Sequence, residues 1–181
     1  MLKNRHDRYG LVHVVIHWVM GIAVVGMFIL GLWMVELDYY DPWYKKGPDL
    51  HRSIGVFILL VLVLRLIWKL TNPRPTPLPS HTRVEQVGAG FAHWTMYGLI
   101  TLMAVTGYLI STADGRSVSV FGWFEIPATI TSIDNQEDIA GEIHFWLAVT
   151  LMTVAVVHAL AALKHHFIDR DATLRRMFGK P

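Results

Sequence analysis

Polar residues thin out along four stretches of the chain, roughly 11–35, 54–68, 87–111 and 139–163. Continuous apolar runs of this kind predict membrane-crossing helices, which need about 20 mainly apolar residues. The second run is the shortest, and it reaches across only if Arg65 and Lys69 at its end snorkel to the headgroups. Between the second and third runs, Thr71 to Ser80 reads TNPRPTPLPS, and its four prolines predict an extended connector. The stretch from Glu36 to Leu50 gathers Tyr39, Tyr40, Trp43 and Tyr44, amphipathic rings suited to a membrane interface. A longer loop from Ala113 to Gln136 contains FGWFEIP and is expected to lie on the membrane surface or to cap the helices. Asp134 followed by Glu137 predicts a capping box at the start of the fourth helix. With no repeat and no low-complexity tract, the pattern predicts one domain over residues 1–181, all-α, an integral membrane four-helix bundle.

Composition agrees with that reading, since 53% of the 181 residues are hydrophobic. The basic residues then orient the chain. The N-terminal tail, the connector region and the C-terminal tail carry twelve of the sixteen Lys and Arg, whereas Lys45, Lys46, Arg52 and Arg116 are alone on the other side. The positive-inside rule therefore predicts both termini in the cytoplasm. The net charge of +2 reports this topology and does not point to nucleic acid. The first run follows basic residues as a signal peptide would, but its length and the absence of a small-x-small cleavage site predict a retained helix. There is no cysteine, which excludes disulfides, iron–sulfur clusters and covalently attached c-type haem.

Candidate chemistry rests on the ten histidines. His6, His81, His165 and His166 fall in tails or connectors and read as solvated surface. His13, His17, His93, His144 and His158 fall in or at the ends of the apolar runs, with His51 opening the second. Ionisable residues at such positions are costly and are functional candidates by default. His144 and His158 are fourteen residues apart, close to four helical turns, so they share a helix face about 21 Å apart along the axis. Ala148, Leu151, Ala155 and Ala162 lie on the same stripe and are mostly small, leaving room for something large and flat. His17 matches His158 in depth, and His51 matches His144. Two depth-matched pairs suit two bis-histidine b-type haems bound between helices, with Gly21 and Gly55 each one turn from a ligand to admit the porphyrin. The alternative is that the histidines serve as hydrogen-bonding glue between helices. Arg65 lies fourteen residues after His51 and either snorkels or pairs with a propionate of the inner haem; Arg52, beside His51, is a second propionate candidate.

The segments HVVIHWVMG around His17, LHRSIGVFILLVLVLRLIW around His51, AHWTMYGLITLMAVTGYLIS, and EIHFWLAVTLMTVAVVHALAALKHHFIDRDATLRRMF together resemble the bacterial cytochrome b561 family of small di-haem inner-membrane cytochromes. The similarity covers essentially the whole chain. Carried over by position, the family's haem ligands fall on His17, His51, His144 and His158. The resemblance implies electron exchange with the quinone pool, and superoxide as a donor at the outer face in at least one member. Quinone candidates at the inner end are His13, His93 and Trp94, each equally readable as a packing group. Arg116, Lys45, Lys46 and Arg52 are candidates for steering a small anion to the outer haem, or simply balance neighbouring acids. A competing reading is a membrane-anchor cytochrome that relays electrons from a docked dehydrogenase or hydrogenase, with FGWFEIP as its docking surface.

Overall fold

The computed structural model describes residues 2–180. Four long helices dominate: α1 Leu11–Met34, α2 Lys46–Thr71, α3 Arg83–Thr112 and α4 Gln136–Phe167. All four are long and apolar enough to cross a membrane. Many of their large apolar side chains are exposed, among them Ile22, Ile29, Leu64, Phe91 and Val157, as expected of helices solvated by lipid rather than water. Two further elements were not expected from the sequence. They are a hairpin of β1 Val118–Val120 and β2 Phe124–Ile126, and a short helix α5 Thr173–Arg176.

The helices overrun the apolar runs at most of their ends, because hydropathy marks contact with lipid while backbone hydrogen bonding continues into the polar interface. The largest difference is α2, which begins at Lys46 rather than at about residue 54. Pro48 sits in its first turn, where a missing N–H costs nothing. The predicted capping box at Asp134 is not formed. The helix starts at Gln136 after Asn135 in the left-handed region (φ 55°), and the buried Gln136 amide donates to the Leu109 and Ile130 carbonyls at 2.9 and 3.0 Å. A capping box is instead found at α3. There the Thr82 N–H donates to Glu85 Oε2 at 2.9 Å and the Glu85 N–H donates back to Thr82 Oγ1 at 3.3 Å.

Contacts group the chain into two compact units, each containing a segment of all four long helices. The terminal unit comprises the chain up to Gly21, Val61–Tyr97, and the chain from Thr153 onward. In it the proline-rich connector is extended and tied to both ends of the chain. Asn4 Nδ2 donates to the Pro73 carbonyl at 3.1 Å, the Thr76 N–H and hydroxyl both donate to the His6 carbonyl at 2.9 Å, and Arg176 Nη1 donates to the Thr76 carbonyl at 2.7 Å. Trp18 of α1 donates to the Met177 carbonyl at 2.8 Å and stacks on Phe178.

The hairpin unit comprises Ile22–Leu60 and Gly98–Met152. Its loop caps the helices, one of the two expected placements. Val118 pairs with Ile126 and Val120 with Phe124 across the hairpin, and Phe121 and Gly122 both take positive φ at its tip. The Phe121 N–H donates to Ser53 Oγ on α2 at 3.0 Å, and Phe57 meets the Phe121 and Trp123 rings edge-on. Val120 and Thr112 are fully buried.

Candidate functional site

In the hairpin unit, His51 of α2 faces His144 of α4, with ring centres 6.2 Å apart and planes inclined at 64°. All four helices shape this pair. A Cβ added at Gly31 of α1 would lie 3.3 Å from His51 Cε1, and one added at Gly107 of α3 would lie 3.4 Å from His144 Cε1. Each glycine thus lets its helix close onto an imidazole. Gly21 and Gly55, the glycines expected to admit a porphyrin, contact neither imidazole. Gly21 faces open space, and Gly55 would make only an ordinary contact with Met27.

Thr106 of α3 is placed to favour one tautomer of His144. Its hydroxyl lies 3.0 Å from the Leu102 carbonyl and 2.9 Å from His144 Nδ1. A hydroxyl has one proton to give. With that proton on the Leu102 carbonyl, the oxygen accepts from Nδ1–H, which leaves the Nε2 lone pair of His144 free for a metal. Across from it, His51 Nδ1 is buried with no hydrogen-bond partner. A buried polar atom without a partner is costly unless a ligand uses the ring.

The terminal unit holds the second pair. His17 of α1 and His158 of α4 have ring centres 6.3 Å apart, inclined at 66°. His93 of α3 lies edge-on to His158 with centres 5.0 Å apart. Arg65 of α2 brings Nη2 to 3.1 Å from His17 Nδ1 and its guanidinium to 5.6 Å from the centre of the Tyr97 ring. Lys69 lies over both Trp94 and Tyr97, 4.5 and 4.8 Å from the ring centres. His13 stacks on Tyr9 at 4.3 Å.

The donor set has one simple chemical use. Two imidazoles bound on opposite sides of one metal, at a metal–nitrogen distance of about 2.0 Å, hold their ring centres about 6.3 Å apart. Both observed pairs have this separation, and the His93–His158 contact is too short for it.

The four anion-steering candidates, Lys45, Lys46, Arg52 and Arg116, have separate local partners. Arg52 pairs with Asp49, and Arg116 pairs with Asp114 while its side chain remains 85% exposed. The Arg116 guanidinium holds the Asp114 carboxyl below the usual carboxylate range. Lys45 and Lys46 line a shallow hollow with Asp41 and Tyr44, and Lys46 lies over Trp43.

The solvated-surface reading fails for His81 and His165. Their side chains are only 18% and 12% exposed, and both engage Asp171. Sequence reasoning also passed over Thr106, Gly31, Gly107, Lys69 and Tyr97. A threonine or glycine in a membrane helix carries no signal of its own until the neighbouring helix is known.

Comparison with known proteins gives the family. The prokaryotic cytochrome b561 model matches residues 8–180. The chain is 50% identical over 177 residues to cytochrome b561 homolog 2 of Escherichia coli K12, covering 98% of this chain and 94% of the relative. It is 30% identical over 176 residues to a Yersinia pestis protein named "Probable superoxide oxidase CybB", covering 97% and 98%. To cytochrome b561 homolog 1 of E. coli K12 it is 25% identical over 186 residues, covering 96% and 98%. The chain belongs to the prokaryotic cytochrome b561 family, electron-transfer proteins of bacterial membranes that carry b-type haem.

Proposed function

We propose that the chain is a di-haem cytochrome of the inner membrane that passes electrons between a one-electron donor at the outer face and the membrane quinone pool. His51 and His144 would hold the outer haem, and His17 and His158 the inner haem. The observation that carries this reading is the pair of imidazole separations, 6.2 and 6.3 Å, against the about 6.3 Å of two imidazoles on one iron. When bound, a bis-histidine haem supplies a one-electron iron couple with no open coordination position.

The protein's own residues set the terms of that couple. Thr106 keeps the proton on His144 Nδ1 and so keeps Nε2 basic. Thr106→Val removes the acceptor while nearly conserving shape. The expected outcome is a hold on the outer haem weakened by about ten- to a hundredfold, read as faster haem transfer to an acceptor apoprotein, with the inner haem unaffected. Arg65 can only donate, so a ligating His17 with its proton on Nδ1 releases the guanidinium, which then pairs with a haem propionate. Arg52 has a buried Nε without a partner, and a propionate supplies one.

The quinone headgroup belongs beside His93, Trp94, Tyr97 and Lys69, where an ammonium lies over two aromatic faces and His93 touches the ring of His158. His13, stacked on Tyr9, borders the same unit. Superoxide is the donor favoured by the name of the Yersinia relative. With Arg52 and Arg116 each paired to a carboxylate, Lys45 and Lys46 carry what attraction for a small anion there is. One observation favours the membrane-anchor reading: Trp123 at the hairpin is 74% exposed and stands beside Phe121 and Phe124, an apolar tip suited to a docked redox subunit.

The test is a reduced-minus-oxidised spectrum with haem quantification on the purified single polypeptide, followed by addition of quinone. Two haem b groups per chain and quinone-dependent oxidation of the reduced protein are expected. One haem per chain overturns the di-haem reading, and a redox subunit that co-purifies transfers the assignment to the anchor.

A further inference from the structure

Three segments distant in sequence converge at the end of α4 in the terminal unit. His81 comes from the connector before α3, His165 from the last turn of α4, and Asp171 from the turn before α5. His165 Nδ1 lies 2.9 Å and His81 Nε2 3.2 Å from the same carboxylate oxygen, Asp171 Oδ2. The two imidazole rings are 4.7 Å apart, and the three donor atoms lie within 4.8 Å of one another. All three side chains are shielded, at 18%, 12% and 7% exposure.

Four-coordinate zinc, with bonds of about 2.0–2.1 Å to each ligand, sets its donor atoms about 3.3 Å apart. The two donor–oxygen distances are already close to that spacing. Surrounding groups hold the ligands in place. The Thr173 N–H donates to Asp171 Oδ1 at 2.8 Å, which leaves Oδ2 for the imidazoles; Thr173 Oγ1, 2.8 Å from His81 Nε2, shares that nitrogen and gives it up when the ion binds. Burial would raise the Asp171 carboxyl, but hydrogen bonds from Thr173 and His165 outweigh it and hold the group at about 2, so it is a carboxylate at any physiological pH. The nearby acids Glu85 and Asp169 are engaged by Lys164, each at 2.8 Å, and Asp169 Oδ2 also lies 3.0 Å from His165 Nδ1, so the ion takes that nitrogen from a carboxylate already held by a lysine.

We propose that His81, His165 and Asp171 form a binding site for a divalent cation of the zinc class, with water as the fourth ligand. The donors, two imidazole nitrogens and one carboxylate oxygen, suit a borderline ion such as Zn²⁺ better than Mg²⁺ or Ca²⁺, which prefer oxygen-only shells. The bound ion fastens the connector to the C-terminal segment. The site uses none of the haem-ligand candidates and stands whether or not the di-haem reading does.

The experiment uses the full-length haem-loaded protein, purified with a tag free of histidine, stripped with a chelator and equilibrated with zinc sulfate. Bound zinc and haem are measured together by elemental and spectral analysis. One zinc per chain is expected, bound at least about tenfold more weakly in His81→Gln and Asp171→Asn, with His166→Ala equal to the wild type. Unchanged haem content shows that the variants fold. Should Asp171→Asn lose haem, His81→Gln decides alone, since it lies in the connector and keeps a donor for the Asp171 carboxylate. Zinc absorption-edge spectra of the wild type should show imidazole nitrogens in the first shell. Binding that is absent in the wild type, equal in His81→Gln, or free of imidazole overturns the site and shows a hydrogen-bonded cluster only.

Discussion

His51→Ala and His144→Ala should each leave one haem per chain, and so should His17→Ala and His158→Ala, but the haem lost is expected to differ between the two sets. Within a set the two variants should have matching spectra and redox titrations, because removing either imidazole leaves an iron with one protein ligand in a dry core. The total haem falls by half in every case. The controls are as informative. His93 touches His158 at 5.0 Å, too close for two rings on opposite sides of one iron, so His93→Ala should retain both haems while altering the reaction with quinone. His13 stacks on Tyr9 rather than on His17 or His158, so His13→Ala should also retain both. A haem lost from His13→Ala and kept in His17→Ala shifts the inner pair by one helical turn.

The second large effect is all-or-none. A reporter enzyme that is active only in the periplasm should be silent when fused after Pro181 and active when fused after Ser117. Twelve basic residues against four decide this orientation. An active reporter at the C-terminus would invert the protein, placing the His17–His158 pair at the outer face and the Lys69–Tyr97 cluster with it.

The four helices were legible because membrane crossing is written in uninterrupted apolar length, which needs no knowledge of neighbours. The partners His17 with His158 and His51 with His144 were legible for a related reason. Helix depth follows from counting residues, and the structure brings these rings together in the combinations that depth predicts. What depends on the facing helix was not. Gly31 and Gly107 look like any other glycines in the apolar runs until the imidazoles they admit are known, and Thr106 looks like an ordinary polar residue. The hairpin was hidden by its own turn, since a phenylalanine with φ of 51° is rare and no local pattern announces it. The start of α2 at Lys46 was missed because its first turns are polar, although Pro48 was a usable signal. His81 and His165 were misread for the simplest reason. They lie 84 residues apart and outside the apolar runs, so their convergence on Asp171 appears only in three dimensions.

The distribution of ligands over the helices has a consequence for how the polypeptide is kept whole. Each histidine pair takes one ring from the α1–α2 half and one from the α3–α4 half, and the halves are joined by the proline-rich connector. On the bis-histidine reading neither half contains a complete site, so each iron acts as a rivet through both. A chain nicked in the connector would therefore remain fastened at two points, and two halves made as separate polypeptides would acquire haem only by finding each other. Cofactor capture and the joining of the halves are then the same event.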